Sequence, residues 1–179
     1  LATPVPPLAA VGGHLLGSGG KRFRALLTLL AAHATGVPSG WSRRLAAAAE
    51  LTHAASLCHD DVLDRGELRR GRDTVRVRFG DALSILLGDV CLVQAFALLA
   101  EPGLAPASAA LARAVVAMAE GEVVQASRAG RSDLDATEYL AVAEAKTGAL
   151  LRWCTTLGGL APAPLRHDLD EYGRALGRV

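Results

Sequence analysis

Three aspartates stand close together in the segment Asp60-Asp61-Val62-Leu63-Asp64. In a helix, Asp60 and Asp64 share one face because they are four residues apart, and Asp61 lies within the same turn. Three carboxylates repel one another, and the C-terminal end of a helix disfavours them because it carries partial negative charge. Bound divalent cations would offset both penalties. Mg²⁺, or the similar Mn²⁺, takes oxygen ligands and commonly bridges carboxylates to a diphosphate. The alternative is a solvated acidic helix end neutralised by nearby arginines.

Basic residues accompany the aspartates at two places. Arg69-Arg70-Gly71-Arg72 follows shortly after them, and Lys21-Arg22-Phe23-Arg24 follows a glycine pair nearer the start of the chain. Arginine suits phosphate oxygens because its planar fork of donors matches them. Cations at the start of a helix are unfavourable unless an anion joins them there. The pattern indicates that metal and diphosphate bind together near the aspartates. The cluster at 21–24 is either a second anion site or an ordinary basic helix start.

Long helices must position these groups. Ala, Leu and Val dominate the 51% of apolar residues, and aromatic residues make up only 4%. Because no alternating strand pattern is present, we predict an all-α bundle of closely packed helices. Ser42, Asp81 and Asp135 are predicted N-caps, the last with Glu138 three residues further on. The predicted helices run from the basic cluster to about 33, and over about 42–65, 81–100, 106–128, 135–157 and from 164 onward. A charged loop is predicted at 66–73, followed by a short segment at 74–79.

Composition indicates which partners and which cellular compartment to expect. The formal net charge of +1 gives no reason to expect nucleic acid or an anionic membrane as a partner. Cys58, Cys91 and Cys154 are widely spaced, odd in number and form no CxxC pair, which favours a reducing, cytoplasmic setting. No signal peptide is evident. Glycine, proline or charge interrupts the longer apolar runs, so no transmembrane segment is predicted. The length suits one domain.

Six segments follow one another along the chain: 19–24, 60–64, 69–71, 79–81 with 88–89, 121–125 and 146–148. In this order they resemble the motifs of the trans-isoprenyl diphosphate synthases, or polyprenyl synthetases, and the resemblance runs from about Gly19 to Val179. The first is similar to the family's GGKRxRP motif, with Ala25 in place of the usual Pro, and the second is similar to its first aspartate-rich motif, DDxxD. Each motif alone would be weak, but the ordered set is specific.

The resemblance implies an antiparallel helical bundle around a central cavity. It also implies a homodimer that condenses an allylic diphosphate with isopentenyl diphosphate. By resemblance, Asp60, Asp61 and Asp64 ligate Mg²⁺ that bridges to the allylic diphosphate. The residues that would help hold that substrate are Arg69, Gln125, Lys146 and Thr147. The residues that would hold isopentenyl diphosphate are Lys21, Arg24, His53 and Arg70. Without the resemblance, Lys146 is a snorkelling helix lysine, His53 a satisfied helix histidine and Gln125 a surface residue.

Product length is also addressed by the resemblance. In the family, bulky residues four and five positions before the first aspartate resemble a floor that stops chain growth. Here those positions are Ser56 and Ala55, and one turn further back Thr52 is also small. The alternative is that alanine is simply abundant in this sequence. We therefore predict a medium- or long-chain product.

The segment 172–177 is similar to the sequence that usually precedes the family's second aspartate-rich motif. The chain reaches Val179 before that motif. Leu165, Leu169, Tyr172, Leu176 and Val179 form an apolar helical stripe that ends without a stop signal. We therefore expect a single, C-terminally incomplete isoprenoid synthase domain over 1–179, inactive by itself. The alternatives are a class I terpene cyclase, disfavoured by the basic cluster at 21–24, and a non-catalytic subunit of a synthase complex.

Overall fold

The computed structural model describes residues 4–17, 19–128, 130 and 135–178, which are mainly helical. The helices are α1 Pro6–Gly17, α2 Phe23–Thr35, α3 Ser39–Leu63, α4 Val75–Phe79, α5 Asp81–Leu98, α6 Ala105–Ser127, α7 Ala136–Ala143, α8 Ala149–Thr156 and α9 Ala163–Gly177. Two short strands, β1 Leu68–Arg69 and β2 Arg72–Asp73, pair antiparallel. A π-helical turn spans Glu144–Gly148, and short 3₁₀ turns span Pro102–Leu104 and Leu157–Gly159. The all-α prediction is therefore confirmed.

Helix α3 lies at the centre of the bundle and packs along α2 and α5. Its buried positions are mostly small, including Ala48, Ala49 and Ala55, so its neighbours can approach closely. One apolar core lies between α2, α3, α6 and α8. A second core lies between α1, α3, α4 and α5. The alanine-rich composition thus serves close helix packing around α3.

The predicted helix caps fare differently. Asp135 caps α7 as predicted, because its Oδ1 accepts a hydrogen bond from the Glu138 backbone N–H at 2.7 Å. The Ser42 prediction was wrong: α3 begins at Ser39, and the Ser42 hydroxyl lies inside the first turn and donates to the Ser39 carbonyl. The Asp81 prediction was also wrong, since Asp81 is the first helical residue of α5 and pairs with Arg76 at 3.0 Å. Proline and glycine, not side-chain acceptors, precede these two helices.

The charged loop predicted at 66–73 contains the β1–β2 hairpin. Its two turn residues, Arg70 and Gly71, both have left-handed φ values, 55° and 74°. Such φ values match the twist of a two-residue hairpin turn. Thr74 anchors the end of the hairpin, because its hydroxyl donates to the Gly66 carbonyl at 2.8 Å. The hairpin thereby returns the chain to the end of α3.

The helix predicted at 135–157 is not one regular α-helix. The π-helical turn separates α7 from α8 and carries Lys146 and Thr147. Helix α6 approaches this turn at Gly121, where an added Cβ would lie 2.9 Å from the Ala145 Cβ and 3.0 Å from the Lys146 backbone nitrogen. A π turn redirects the side chains that follow it and often occurs at functional sites. Helical periodicity alone does not reveal such a turn.

Helix α9 packs on the π turn and α8 through glycines. Gly173 and Gly177 are buried, whereas Leu165 and Tyr172 of the predicted apolar stripe are 43% and 55% exposed. Leu176 contacts the first core. The last residue of the predicted stripe, Val179, lies outside the described residues. The packing face is therefore set by close backbone approach more than by large apolar side chains.

We expect Gly177→Ala to destabilise the fold by about 2 kcal/mol, because an added Cβ would lie 2.4 Å from the Gly148 Cα and backbone atoms cannot yield cheaply. Chemical denaturation would measure the free energy of unfolding. Gly13→Ala is the matched control, since nothing lies within 4 Å of its Cβ position in α1. The control should be neutral or stabilising, by up to about 1 kcal/mol. Equal stability of both variants would contradict the glycine-packing account.

Two of the described helical segments, Asp81–Leu98 and Pro102–Ser127, are long and apolar enough to cross a membrane by length and composition alone. The prediction that no apolar run reaches this length was wrong, because the internal glycine and charge at 88–89 do not interrupt α5. In the structure, α5 packs along α3, and α6 packs against α8 and the π turn. Core helices of a bundle pass the same length and composition test as membrane spans.

Candidate active site

The aspartate cluster occupies the last turns of α3, but its members differ in environment. Asp60 is partly buried and Asp64 is exposed, whereas Asp61 is only 4% exposed. The Oδ1 atom of Asp61 accepts hydrogen bonds from Arg69 Nε at 3.2 Å and Nη2 at 2.8 Å. Asp61 therefore anchors the hairpin. Within the described part of the chain, Asp60 and Asp64, four residues apart, form no such bond with Arg69 and can take another partner. This separates Asp61 from the two aspartates with which the sequence grouped it.

A lysine faces this carboxylate pair from the π turn. Lys146 Nζ forms an ion pair with Glu122 of α6, 2.5 Å from Oε2, and donates to Gln125 Oε1 at 3.5 Å. Burial lowers the pKa of Lys146, but the hydrogen bond to Glu122 and the charges of Asp60, Glu122 and Asp64 outweigh burial and raise it. Burial raises the pKa of Asp60, and the nearby Lys146 charge opposes that change. The end of α3 and the π turn thus face each other as two walls, and their charged groups interact.

The central cleft, of about 410 Å³, opens between these walls and is lined by α3, α5, α6 and the π turn. Asp60, Glu122 and Lys146 line it, and its remaining surface is largely apolar. Thr52, Ala55 and Ser56 line it together, as do Leu92, Val115 and Met118. The small residues singled out in the sequence therefore face one cleft with Asp60. Thr52 Oγ1 is buried and has no hydrogen-bond partner among the residues that the structure describes.

A second cleft, the basic cleft, lies beside the first and measures about 520 Å³. The loop before α2, the middle of α3 and the hairpin form it. Its charged and polar lining comprises Lys21, Arg22, Arg24, Glu50, His53, Arg69 and Arg70. Arg70 donates to the Gly19 carbonyl, which joins the hairpin to the loop before α2. The structure thus brings together the residues assigned by resemblance to isopentenyl diphosphate, and it adds Arg69.

Arg24 and His53 line both clefts. Burial lowers the pKa of Arg24, and Glu50 partly offsets this change. Burial, and then the charges of Arg24, Arg69, Arg70 and Arg22, lower the pKa of His53 to about 3. His53 is therefore a neutral imidazole at physiological pH. Its neutrality adds no charge to a wall already crowded with guanidinium groups.

His53 should make the fold sensitive to acid. Its pKa in the folded state, about 3, lies below the unfolded value of 6.5, so the unfolded chain binds the proton first as pH falls. The stabilisation is complete above pH 6.5 and declines towards pH 3. Between pH 6.5 and 5 we expect the free energy of unfolding to fall by about 1.5 kcal/mol through this residue.

Chemical denaturation at pH 6.5 and pH 5 would measure the free energy of unfolding. In His53→Gln this free energy should not show the fall that His53 causes in wild type. His33→Gln, which changes an exposed histidine of α2, is the matched control and should keep the wild-type pH dependence. The same slope in wild type and His53→Gln would contradict the assignment.

Sequence reasoning missed several residues at the site. It gave no role to Glu122, which lies in the 121–125 motif, and none to Glu50 or Met118. Two residues assigned by resemblance lie here: Gln125 contacts Lys146, and Thr147 lines the central cleft. Ionic partners such as Glu122 depend on where two helices cross, which local spacing does not encode.

The helices surround an apolar cleft that has carboxylates and a lysine at one end, and a basic cleft lies beside it. These features define a class of helical protein suited to two phosphate-bearing ligands. Comparison with known proteins agrees with this class. A family model for polyprenyl synthetases matches residues 5–179. The chain belongs to the polyprenyl synthetase family.

Individual relatives support the same assignment. The octaprenyl diphosphate synthase of Escherichia coli strain K12 is 33% identical over 180 residues, covering 99% of this chain and 56% of that protein. The crystal structure of a decaprenyl diphosphate synthase from Rhodobacter capsulatus has a TM-score of 0.94 and 37% identity, covering 99% of this chain and 56% of that one. A polyprenyl synthase from Caulobacter crescentus CB15, complexed with calcium and isoprenyl diphosphate, has a TM-score of 0.93 and 37% identity over 98% of this chain and 55% of its own. The chain spans about half the length of these relatives.

Proposed function

We propose that these residues serve a prenyltransferase that condenses an allylic diphosphate with isopentenyl diphosphate to a longer trans-polyprenyl diphosphate. The observation that carries the proposal is the pair of adjoining clefts that share Arg24 and His53. The basic cleft has the cations to hold isopentenyl diphosphate. The central cleft has carboxylates and a lysine at one end for an allylic diphosphate, and an apolar interior for its chain. Binding in adjoining clefts would bring the two reacting carbons together.

The central cleft suits Mg²⁺. Within the described residues, no three His, Cys, Asp or Glu side chains come together as a metal-binding group. Mg²⁺ commonly takes only one or two carboxylates and completes its shell with water and substrate phosphate. Asp60 and Asp64 provide two such oxygen donors, and the calcium and isoprenyl diphosphate bound by the Caulobacter relative support a divalent metal. When bound, the metal would neutralise charge on the departing diphosphate.

In the proposed reaction, the allylic C–O bond breaks and diphosphate leaves with the electron pair. The double bond of isopentenyl diphosphate then forms a C–C bond to the cation, and a proton passes to the released diphosphate. Lys146 would stabilise charge on the leaving diphosphate, helped by Thr147 and Gln125. Arg69 would orient the end of α3 through Asp61. Lys21, Arg24, His53 and Arg70 would hold isopentenyl diphosphate, and the apolar helix faces would exclude water.

Product length should depend on the small residues along the central cleft. We expect Ala55→Phe to shorten the product, because a ring at this buried position would fill the cleft that Thr52 and Ser56 also line. Chromatography of dephosphorylated products would measure the length distribution. Ala34→Phe, at an exposed position of α2, is the matched control and should leave the distribution unchanged. An unchanged spectrum for Ala55→Phe would show that the growing chain does not pass this residue.

Two further properties belong to this proposal. The outer faces of α5 and α6 expose apolar side chains, with Leu86, Val93 and Val116 52%, 67% and 56% exposed. Such a surface supports a homodimer, which light scattering would test.

Cys58, Cys91 and Cys154 are buried free thiols, which supports a reducing, cytoplasmic setting.

The function is tested by incorporation of labelled isopentenyl diphosphate in the presence of Mg²⁺ and an allylic primer. The assay should use the complete product of the gene, from which we expect elongated prenyl diphosphates. Because these 179 residues span about half the length of the relatives, we expect weak or no turnover from them alone. Conversion of the allylic substrate to a hydrocarbon without label would instead indicate a terpene cyclase. Substrate binding without turnover in the complete product would indicate a non-catalytic subunit.

A further inference from the structure

The residue at the start of helix α2 cannot cap it. Arg22 occupies the cap position with left-handed backbone angles, φ 47° and ψ 41°, and a guanidinium group has no acceptor atom for a backbone N–H. An N-cap side chain normally accepts a hydrogen bond from the backbone N–H of the second or third helical residue. Here Ala25, the third residue, donates its N–H to Oε1 of Glu50 at 3.0 Å. A carboxylate from α3 thus performs the capping role.

The second oxygen of the same carboxylate approaches the residue before the helix. Glu50 Oε2 lies 3.6 Å from Arg22 Nη1, and the Glu50 side chain is 17% exposed. A left-handed conformation is unfavourable for a non-glycine residue. Glu50 therefore contacts both the strained residue, Arg22, and the first turn of the helix, which carries Arg24.

The position of this carboxylate is unexpected on charge alone. Glu50 lines the basic cleft, where it would repel the diphosphate that we propose binds there. We infer that Glu50 is a positioning residue that fixes the start of α2 and thereby directs Lys21 and Arg24 into the basic cleft. This inference rests on the proposed function of that cleft. The substrate class is a diphosphate monoester such as isopentenyl diphosphate.

Two variants with the same charge separate positioning from electrostatics. Glu50→Gln and Glu50→Ala both remove the negative charge, but only Gln can still accept the hydrogen bond from Ala25. Titration calorimetry with isopentenyl diphosphate, without divalent metal, should give a Kd for Glu50→Ala about tenfold above that for Glu50→Gln, as expected for loss of a helix cap. Glu101→Gln, which breaks a pair with Arg44 away from the cleft, is the matched control and should bind as wild type does.

Equal affinities of Glu50→Gln and Glu50→Ala, or tighter binding by both than by wild type, would overturn the inference. A lowered Tm with unchanged affinity would also overturn it, because a purely structural cap would give that result. If Glu50→Ala does not fold, Glu50→Asp takes its place, since its shorter side chain keeps the charge and withdraws the acceptor; wild-type affinity in that variant overturns the inference. Failure of the wild-type chain to bind isopentenyl diphosphate would instead count against the proposed function of the basic cleft.

Discussion

Asp60→Asn is expected to abolish Mg²⁺-dependent binding of an allylic diphosphate. Asp60 and Asp64 are the members of the aspartate cluster that do not bond Arg69, and Asp60 lines the central cleft. A metal held by only two carboxylates and substrate phosphates cannot lose one carboxylate cheaply. An amide keeps the shape of the side chain but removes its charge, so the loss should reflect metal binding rather than packing.

Titration calorimetry with geranyl diphosphate, with and without Mg²⁺, would measure this effect. Wild type should show a large difference between the two conditions, and Asp60→Asn almost none. Asp168→Asn removes an exposed carboxylate of α9 and is the matched control. Asp61→Asn should differ from both: it loosens Arg69 and weakens substrate binding, but part of the Mg²⁺ dependence should persist. Full Mg²⁺ dependence in Asp60→Asn would refute the assignment of this carboxylate to the metal.

Much of the fold follows from local patterns. Helical spacing placed Asp60 and Asp64 on one face, and the short loops around glycine and proline separated the helices close to their observed bounds. The role of Asp61 could not be predicted in this way. Its partner, Arg69, lies on a hairpin whose turn places Arg70 in a left-handed conformation. Arginine rarely adopts that conformation, so the sequence does not predict the turn. The sequence therefore indicates a carboxylate cluster, but not that Asp61 binds Arg69 while Asp60 and Asp64 do not.

The side of the central cleft formed by α6 and the π turn was also hard to predict from sequence. The π turn lies where α6 approaches at Gly121, a contact between residues far apart in the chain that local patterns do not encode. The pairing of Lys146 with Glu122 follows from the same crossing. Glu50 was hidden for a related reason, because it caps a helix that it does not belong to. Residues whose role is set by tertiary contact are the ones that sequence patterns left without a function.

Lys146→Gln is expected to have opposite effects on the two ligands of the central cleft. Lys146 interacts electrostatically with Asp60, Asp64 and Glu122. Its removal leaves these carboxylates without a cation from the π turn, so they should bind Mn²⁺ alone more tightly, as electron paramagnetic resonance would show. A diphosphate, in contrast, would lose a charge-assisted hydrogen bond and meet uncompensated negative charge.

We therefore expect the Kd of geranyl diphosphate with Mg²⁺ to rise about 100-fold in Lys146→Gln, which corresponds to about 2.7 kcal/mol. Lys21→Gln is the matched control: it removes the same charge from the basic cleft and should leave this Kd within about threefold of wild type. Weaker binding of both Mn²⁺ and diphosphate in Lys146→Gln would mean that the substitution had disturbed the π turn itself. Equal effects of the lysine substitutions at 21 and 146 would mean that one mixed anion site replaces the two clefts. Only tighter metal binding together with weaker diphosphate binding is consistent with a lysine that offsets the carboxylates until the substrate arrives.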